Sequence, residues 1–417
     1  MIHPRAADIE PVPGSAREDW PATNSPHSGR APSNPAGRAG APPANSGRGN
    51  GWFVVRDATS ADNDELIALA AACAMAGDMS LRIDRGPDFF ALNRLEGERW
   101  QVGVAVADEK VVGCVAASER KAFVNGVEMR TGYAGDLKVH PLYRDTAIAD
   151  ALSHYAERAF AVLPPAAPVI ITVLAGNRPM ERRLSGPRGV PPFRKIATIR
   201  THSIPILRPR RDRTGNGVRI DAAKWSDVGQ MVKLWRKVAP QRQLAPAFTA
   251  KSLSAWIGAA PGLDISDYRI ARSTAGEMLG FLAVWDQRSF KQLVVVGYSP
   301  RMKLVRTAFN AIATMLGAER LPRSGAPLSC VSAAHVCVPS HRPEVLRSLI
   351  LSAYNDFVGA GCSSMNVGLD TRDPLTAGLV GLLAQPTDVN AYAVTGRRGV
   401  APELLDSRPM HYEIALV

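Results

Sequence analysis

The sequence predicts an α/β protein of the α+β kind, in which two tandem copies of one fold, each a mixed and mostly antiparallel sheet flanked by helices, follow a disordered N-terminal tail. Three observations carry this expectation. At 417 residues the chain exceeds the usual size of a single domain. A run of three strand-like segments is followed by a helical stretch and then a short, wholly apolar segment. After a basic linker at residues 209–216 the same succession of patterns begins again. The expected division is therefore a tail over 1–50, a first domain over 51–208 and a second over 217–417.

Residues 1–50 are dominated by Pro, Gly, Ser, Ala and Asn, so they cannot bury enough apolar surface to offset their ordering entropy. Trp52 to Arg56 has the β-branched and aromatic content of a strand, and Asp57 to Glu65 supplies helix-start residues before Leu66, Ile67 and Leu69. Trp100 to Ala107, Lys110 to Ala117 and Val127 to Val139 are three strands in succession, the first two joined by a tight turn at Asp108 and Glu109. Ile148, Leu152, Tyr155 and Ala159 recur at helical spacing within a helix expected over Arg144 to Leu163. Val169 to Leu174 is continuously apolar, as a buried strand is, and the helix before it makes it parallel to the strand ending at Val139. The second cycle offers a strand at Gly217 to Ile220 and a helix at Trp225 to Trp235. Strands follow at Tyr268 to Ala271, Met278 to Trp285 and Leu328 to Val338, then a helix at Pro343 to Val358 and strands at Ser363 to Leu369 and Asn390 to Thr395.

The junction after Val139 is the chemically informative stretch. A strand runs through Pro141 into a helix start, which leaves backbone N–H groups without intrahelical partners, and with the helix dipole these favour an anion, most often a phosphate. The residues from Val139 through His140, Pro141, Leu142, Tyr143, Arg144, Asp145, Thr146, Ala147 and Ile148 to Ala149 resemble motif A of the GNAT superfamily of acyl-CoA N-acyltransferases. That motif reads as a strand ending in Val-x-Pro and then Arg/Gln-x-x-Gly-x-Gly/Ala. Arg144 and Ala149 fit its first and last positions, and Ala147 replaces its middle glycine. The added methyl is harmless if Ala147 lies in a helical turn with negative φ. The opening strand and helix, the segment from Asn177 to Leu184 and the closing stretch from Pro192 to Pro205 also resemble the family, so the likeness covers roughly residues 52–207. Tandem forms are known among mycothiol synthases and the FemABX aminoacyl-ligases. The second copy's loop places Arg342 in the first position but Val345 and Arg347 where the family has small residues, so the second domain is expected to shape the structure or the substrate site and to leave acyl-CoA to the first.

Composition limits the remaining options. The formal charge of +12 suits anionic partners such as coenzyme A, acidic substrates, nucleic acid or a membrane surface. The chain lacks the aromatic and basic interleaving of an RNA-recognition motif and zinc-finger spacing, which argues against nucleic acid. Five cysteines without a C-x-x-C pair argue against a disulfide framework or a zinc site, and no metal is expected. The longest apolar stretch, around Leu66 to Met75, is too short to span a bilayer, and the opening residues lack a secretory signal, so a cytoplasmic protein is expected. No pattern specifies an oligomeric state.

The resemblance implies a notch between the strands ending at Val139 and Leu174 that receives the thioester. A backbone N–H among Leu137, Lys138 and Val139 would hold its carbonyl oxygen, and the loop residues Arg144, Asp145, Thr146, Ala147, Ile148 and Ala149 would hold the pyrophosphate. Asn177 would touch the cofactor, although a helix cap explains it equally well. Asp136 stands where it could accept a proton through water or fix an ammonium group, or simply pair with a Lys or Arg at a strand end. Tyr133 could face the notch. Tyr143 and His140 flank the loop, where surface roles suffice for both. Where many relatives place a Tyr that protonates the leaving thiolate, this chain has Met180, Arg183 or Leu184, so the thiolate would leave without a dedicated acid. A thiol pKa of about 8.5 tolerates this. The expected activity is transfer of an acyl group from acetyl-CoA, or another acyl-CoA, to a primary amine of a small molecule or protein by direct attack in a ternary complex. The alternatives are a catalytically silent GNAT-fold binding or scaffold protein and, ranked last, an aminoacyl-tRNA-dependent ligase of FemABX type. The acceptor pocket is expected in the segments Ser80 to Arg99 and Gln241 to Asp264.

Overall fold

The computed structural model describes residues 52–185, 193–212, 217–394 and 405–416. The expected disordered tail and residues 213–216 of the basic linker lie outside these. In the first copy the elements are β1 (Val54–Asp57), α1 (Asn63–Ala72), β2 (Met79–Asp84), α2 (Asn93–Glu96), β3 (Arg99–Ala107), β4 (Lys110–Val124) and β5 (Val127–Val139), followed by α3 (Ile148–Ala159), β6 (Val169–Leu174), α4 (Arg178–Ser185) and β7 (Arg194–Pro205). The second contains β8 (Arg219–Ala222), α5 (Val228–Val238), α6 (Ala250–Ala259), β9 (Tyr268–Arg272), β10 (Met278–Trp285), β11 (Gln292–Tyr298) and α7 (Pro300–Met315). It ends with β12 (Pro327–Leu328), β13 (Cys330–Cys337), α8 (Pro343–Asp356), β14 (Ser364–Asp370) and β15 (Gln385–Val394).

Local chemistry accounts for the hairpins. Asp108 and Glu109 both adopt positive φ, 48° and 62°, as a two-residue primed turn between twisted strands demands, and Asn125 with Gly126 does the same between β4 and β5. The helix expected from Arg144 begins four residues later, at Ile148, because Pro141 to Tyr143 form a 3₁₀ turn and Asp145 takes a φ of 64°. β2, in a segment expected to be loop, β11, for which no element is expected, and β12 form a separate three-stranded sheet in which a first-copy strand joins two from the second, and the strand expected over Leu328 to Val338 is divided between β12 and β13.

The main sheet runs β1-β3-β4-β5-β6-β15-β7-β14-β13-β10-β9-β8. This order is nearly a palindrome, one copy on each side. The closing strands are exchanged, so that β15 pairs antiparallel with β6 and β7 pairs antiparallel with β14. The parallel pairs β5–β6 and β13–β14 occupy matching places. In both copies the strand before the parallel partner carries a bulge. Asp136 and Leu137 stand opposite Val115 alone, and His335 and Val336 stand opposite Leu282 alone. The first residue of each bulge has positive φ, 51° at Asp136 and 49° at His335.

Phe281, Tyr268 and Trp285 are fully buried in a core built by α5, α6, β9, β10 and β13, and Trp285 Nε1 donates to Pro261 O at 2.9 Å. Phe281→Ala should therefore destabilise the protein by about 3–5 kcal/mol, seen as a lower urea midpoint with unchanged slope.

Candidate active site

β5 and β6 are in register only at Gly132–Val169, Tyr133–Ile170 and Ala134–Ile171. β5 continues to Val139 while the far edge of β6 is taken up by β15. The strands therefore part beyond Ala134, where the Asp136–Leu137 bulge bends β5. Leu137, Lys138 and Val139 lie half-buried along this opening.

At its end lies the loop to α3. Arg144, Asp145 and Ala147 are exposed, Thr146 and Ala149 are half-buried, and Ile148 is buried beneath them. Ala147 has φ −69° and ψ −5°, a right-handed helical conformation in which its methyl costs the backbone nothing. Thr146 Oγ1 donates to Tyr143 O at 2.7 Å, which pins the loop. The first amides of α3 point out of the helix, as they do in any helix. An elongated anionic thioester fits these residues, with a gap for its chain and, beside it, helix amides and the Arg144 guanidinium for its phosphates. At the loop's edge, Tyr143 stacks on Trp52 with centroids 5.9 Å apart, and His140 Nδ1 accepts from the Leu142 N–H at 3.3 Å. Asn177 Oδ1 accepts from the Met180 N–H at 3.4 Å, a cap for α4, and its side chain is exposed. Arg183 of α4 pairs with Asp150 in the first turn of α3.

Asp136 is bound on both sides. Arg85 Nη1 lies 2.5 Å from its Oδ2, and Lys138 Nζ is paired with Oδ1. Arg85 Nη2 also donates to Asn93 Oδ1 at 3.1 Å, and its guanidinium lies 4.3 Å from the centre of the Phe89 ring. Although burial alone would raise the Asp136 pKa, Arg85 and Lys138 hold it far below the ordinary carboxylate range. A carboxylate so stabilised is a poor base, and the geometry makes Asp136 an anchor for two cations.

A cavity of about 40 Å³ borders the closed end of the gap, lined by the register pair Tyr133 and Ile170 and by Glu96, Arg120, His411 and Glu413 among others. Tyr133 Oη is 2.8 Å from Thr172 Oγ1, and burial holds its phenol well above the usual value. Glu96 is only 7% exposed, and its Oε2 has no hydrogen-bond partner among the described residues. Burial, reinforced by the Asp136 charge, pushes Glu96 up to about 8. Burial likewise pushes Glu413 up to about 7, against the His335 N–H that donates to its Oε2 at 2.8 Å. Burial keeps His335, down at about 3, and His411 neutral. The cluster of Glu96, Glu413 and Arg120 thus holds one more carboxylate than cation, which suits a proton or a cationic amine.

The matching opening in the second copy holds the chain itself. Ile414 packs on Gly368 of β14, the amide of the β13 bulge residue His335 binds Glu413, and Gln287 Nε2 donates to Ala415 O at 2.7 Å. At the start of α8, Gly378 lies against Pro343 O, and Arg347 Nη1 donates to Gly378 O and Val380 O at 3.1 and 2.8 Å.

No family model matches the sequence, and no curated protein matches it. Solved structures do. Saccharomyces cerevisiae N-myristoyltransferase with bound myristoyl-CoA aligns over 88% of this chain and 90% of its own, with a TM-score of 0.57 at 11% identity. A GCN5-related N-acetyltransferase from Sphaerobacter thermophilus aligns over 84% and 98%, with a TM-score of 0.50 at 14% identity. The glucosamine N-acetyltransferase region of a fungal multi-domain β-N-acetylglucosaminidase aligns over 82% of this chain and 38% of that one, with a TM-score of 0.54 at 15% identity. The fold is the GNAT fold.

Within this GNAT fold, pattern reading did not single out Glu96, Arg120, His335, His411 or Glu413. A usable signal existed in Glu119, Arg120 and Lys121 within an otherwise apolar strand and in His335 inside the run from Val331 to Cys337. Among the described residues no group of three His, Cys, Asp or Glu could hold a metal ion, and no helix is long and apolar enough to cross a membrane.

Proposed function

We propose that the protein is an acyl-CoA-dependent N-acyltransferase, with acetyl-CoA as donor, that acylates a primary amine by direct attack in a ternary complex. The supporting observation is the contrast between the two openings. That of the first copy ends on the exposed loop residues Arg144, Asp145 and Ala147, whereas that of the second contacts residues 413–416 of its own chain. In this reading residues 51–208 carry the donor site and residues 217–417 complete the acceptor side.

The α3 amides and Arg144 bind the diphosphate, with Asn177 beside them. A backbone N–H of Leu137, Lys138 or Val139 polarises the acyl carbonyl. Glu96 takes a proton from the incoming ammonium, so that the amine arrives with a free electron pair. The nitrogen then bonds to the acyl carbon, the carbon–sulfur bond breaks, and the thiolate leaves with the electron pair and takes up the second proton that the nitrogen sheds in becoming the amide. Tyr133 forms a wall of the acceptor cavity.

Isothermal titration with acetyl-CoA tests the donor site. Wild type should bind at one site per chain, and Arg144→Glu should weaken binding by about tenfold or more, since one charge–phosphate contact exchanged for repulsion exceeds about 1.4 kcal/mol. No binding by wild type, or equal binding by the variant, overturns the proposal. Myristoyl-CoA, bound by the yeast structural neighbour, belongs in the same titration as the long-chain rival. A silent binding protein is the second reading, favoured by the absence of a hydroxyl at Met180, Arg183 and Leu184 and by the commitment of Arg183 to Asp150. Binding without turnover across an amine panel would select it.

A further inference from the structure

α7 turns its apolar side outward. Ala313 is buried, whereas Leu304 is 75% and Met315 85% exposed, with Val305, Ile312 and Leu316 between 43% and 49%. The opposite side is fastened down, because Arg306 Nε donates to Pro322 O at 2.8 Å and Asn310 exchanges two hydrogen bonds with the Leu321 backbone. A contiguous exposed apolar stripe marks an interaction surface, and here the stripe has an internal order. Leu304, Ala308, Ala311 and Met315, all exposed, recur at intervals of four, three and four residues, the spacing of a helix–helix seam. The seam is large, small, small, large, and therefore reads the same in both directions.

We infer that α7 is a dimerisation helix that packs antiparallel against α7 of a second copy of this chain about a twofold axis. In that arrangement Leu304 meets Met315 of the second copy and Ala308 meets its Ala311, so the two large residues fill the ends while the alanines let the helices approach closely. The charges agree with this direction. Arg301, at the start of one helix, lies beside Glu319 just past the end of the other, and the contact is repeated by symmetry. A lipid surface is a poorer occupant, since the two alanines at the centre of the seam offer little to an acyl-chain region.

Sedimentation velocity of the full chain tests this. The expected species has twice the 44.7 kDa mass of the chain, and Ala308→Glu with Ala311→Glu should return it to one chain. Both positions are exposed, and circular dichroism should show an unchanged fold. Orientation is read from disulfide trapping. Leu304→Cys with Met315→Cys should cross-link above the wild-type background, whereas either single variant should not, because only the antiparallel register brings these two positions together. A single-chain mass at all concentrations, a dimer indifferent to the double Glu variant, or linkage by the single variants overturns the inference. Binding of a monomer to phosphatidylglycerol vesicles that the Glu variant abolishes would assign the stripe to lipid instead.

Discussion

Glu96→Gln is expected to slow acyl transfer by roughly 10² to 10⁴-fold, the range for loss of a positioned proton acceptor, while leaving acetyl-CoA affinity unchanged. Glutamine preserves the shape and the burial but cannot take a proton. The pH dependence has a definite sign. A carboxyl raised to about 8 is protonated at neutral pH and gains basic form as pH rises, so kcat/KM of wild type should climb through about pH 8. Glu96→Gln should lose that climb. Stopped-flow or steady-state rates with a short alkylamine acceptor across pH 6 to 9.5 give the profile, and titration calorimetry gives the donor affinity separately. A Gln variant that keeps both the rate and the pH profile sinks the assignment. If Glu413→Gln instead carries the loss, the proton passes to the second carboxylate of the same cavity.

Asp136→Asn should destabilise the protein by about 3–5 kcal/mol, because it leaves the Arg85 guanidinium, only 5% exposed in its side chain, without its carboxylate. Asn is the informative replacement, since it tolerates the positive φ of this bulge residue and changes little but the charge. The contribution of Asp136 should be fully present above its unfolded pKa near 3.8 and be lost only under stronger acid, as follows for a folded pKa that is depressed. Urea midpoints at pH 7 measure the effect. A change under about 1 kcal/mol would show that solvent, rather than Asp136, satisfies Arg85.

Those two residues also show how far sequence reasoning reached. β5 and β6 were legible to the residue, because one begins after an Asn-Gly turn and the other is an unbroken apolar run between a helix and a turn. The parallel pairing followed from the intervening helix. Asp136 was legible as a charged residue on the right strand, but not its ion pair with Arg85, which lies 51 positions away in a stretch read as loop. β2 stayed hidden for a related reason. Its alternation over six residues is sound, yet its partner β11 lies in the other copy, and no local pattern reports a contact made across the chain. α7 did carry a start signal, Ser299 before Pro300, with Ser299 Oγ accepting from the Met302 N–H at 3.2 Å. Its outward apolar side disguised the usual periodicity of a helix that faces a core. The cavity beside Tyr133 draws on α2, β4, β5, β6, Leu244 and the segment from Met410 to Leu416, and such convergence leaves no spacing to read.

The exchange of closing strands bears on how the protein is made. β15 completes the sheet beside β6 but leaves the ribosome only after β8 to β14 of the second copy, so the exposed edge of β6 must wait for it. Translation-coupled maturation of the first repeat should therefore be late, and truncations at the C-terminus should injure the half of the molecule that was synthesised first.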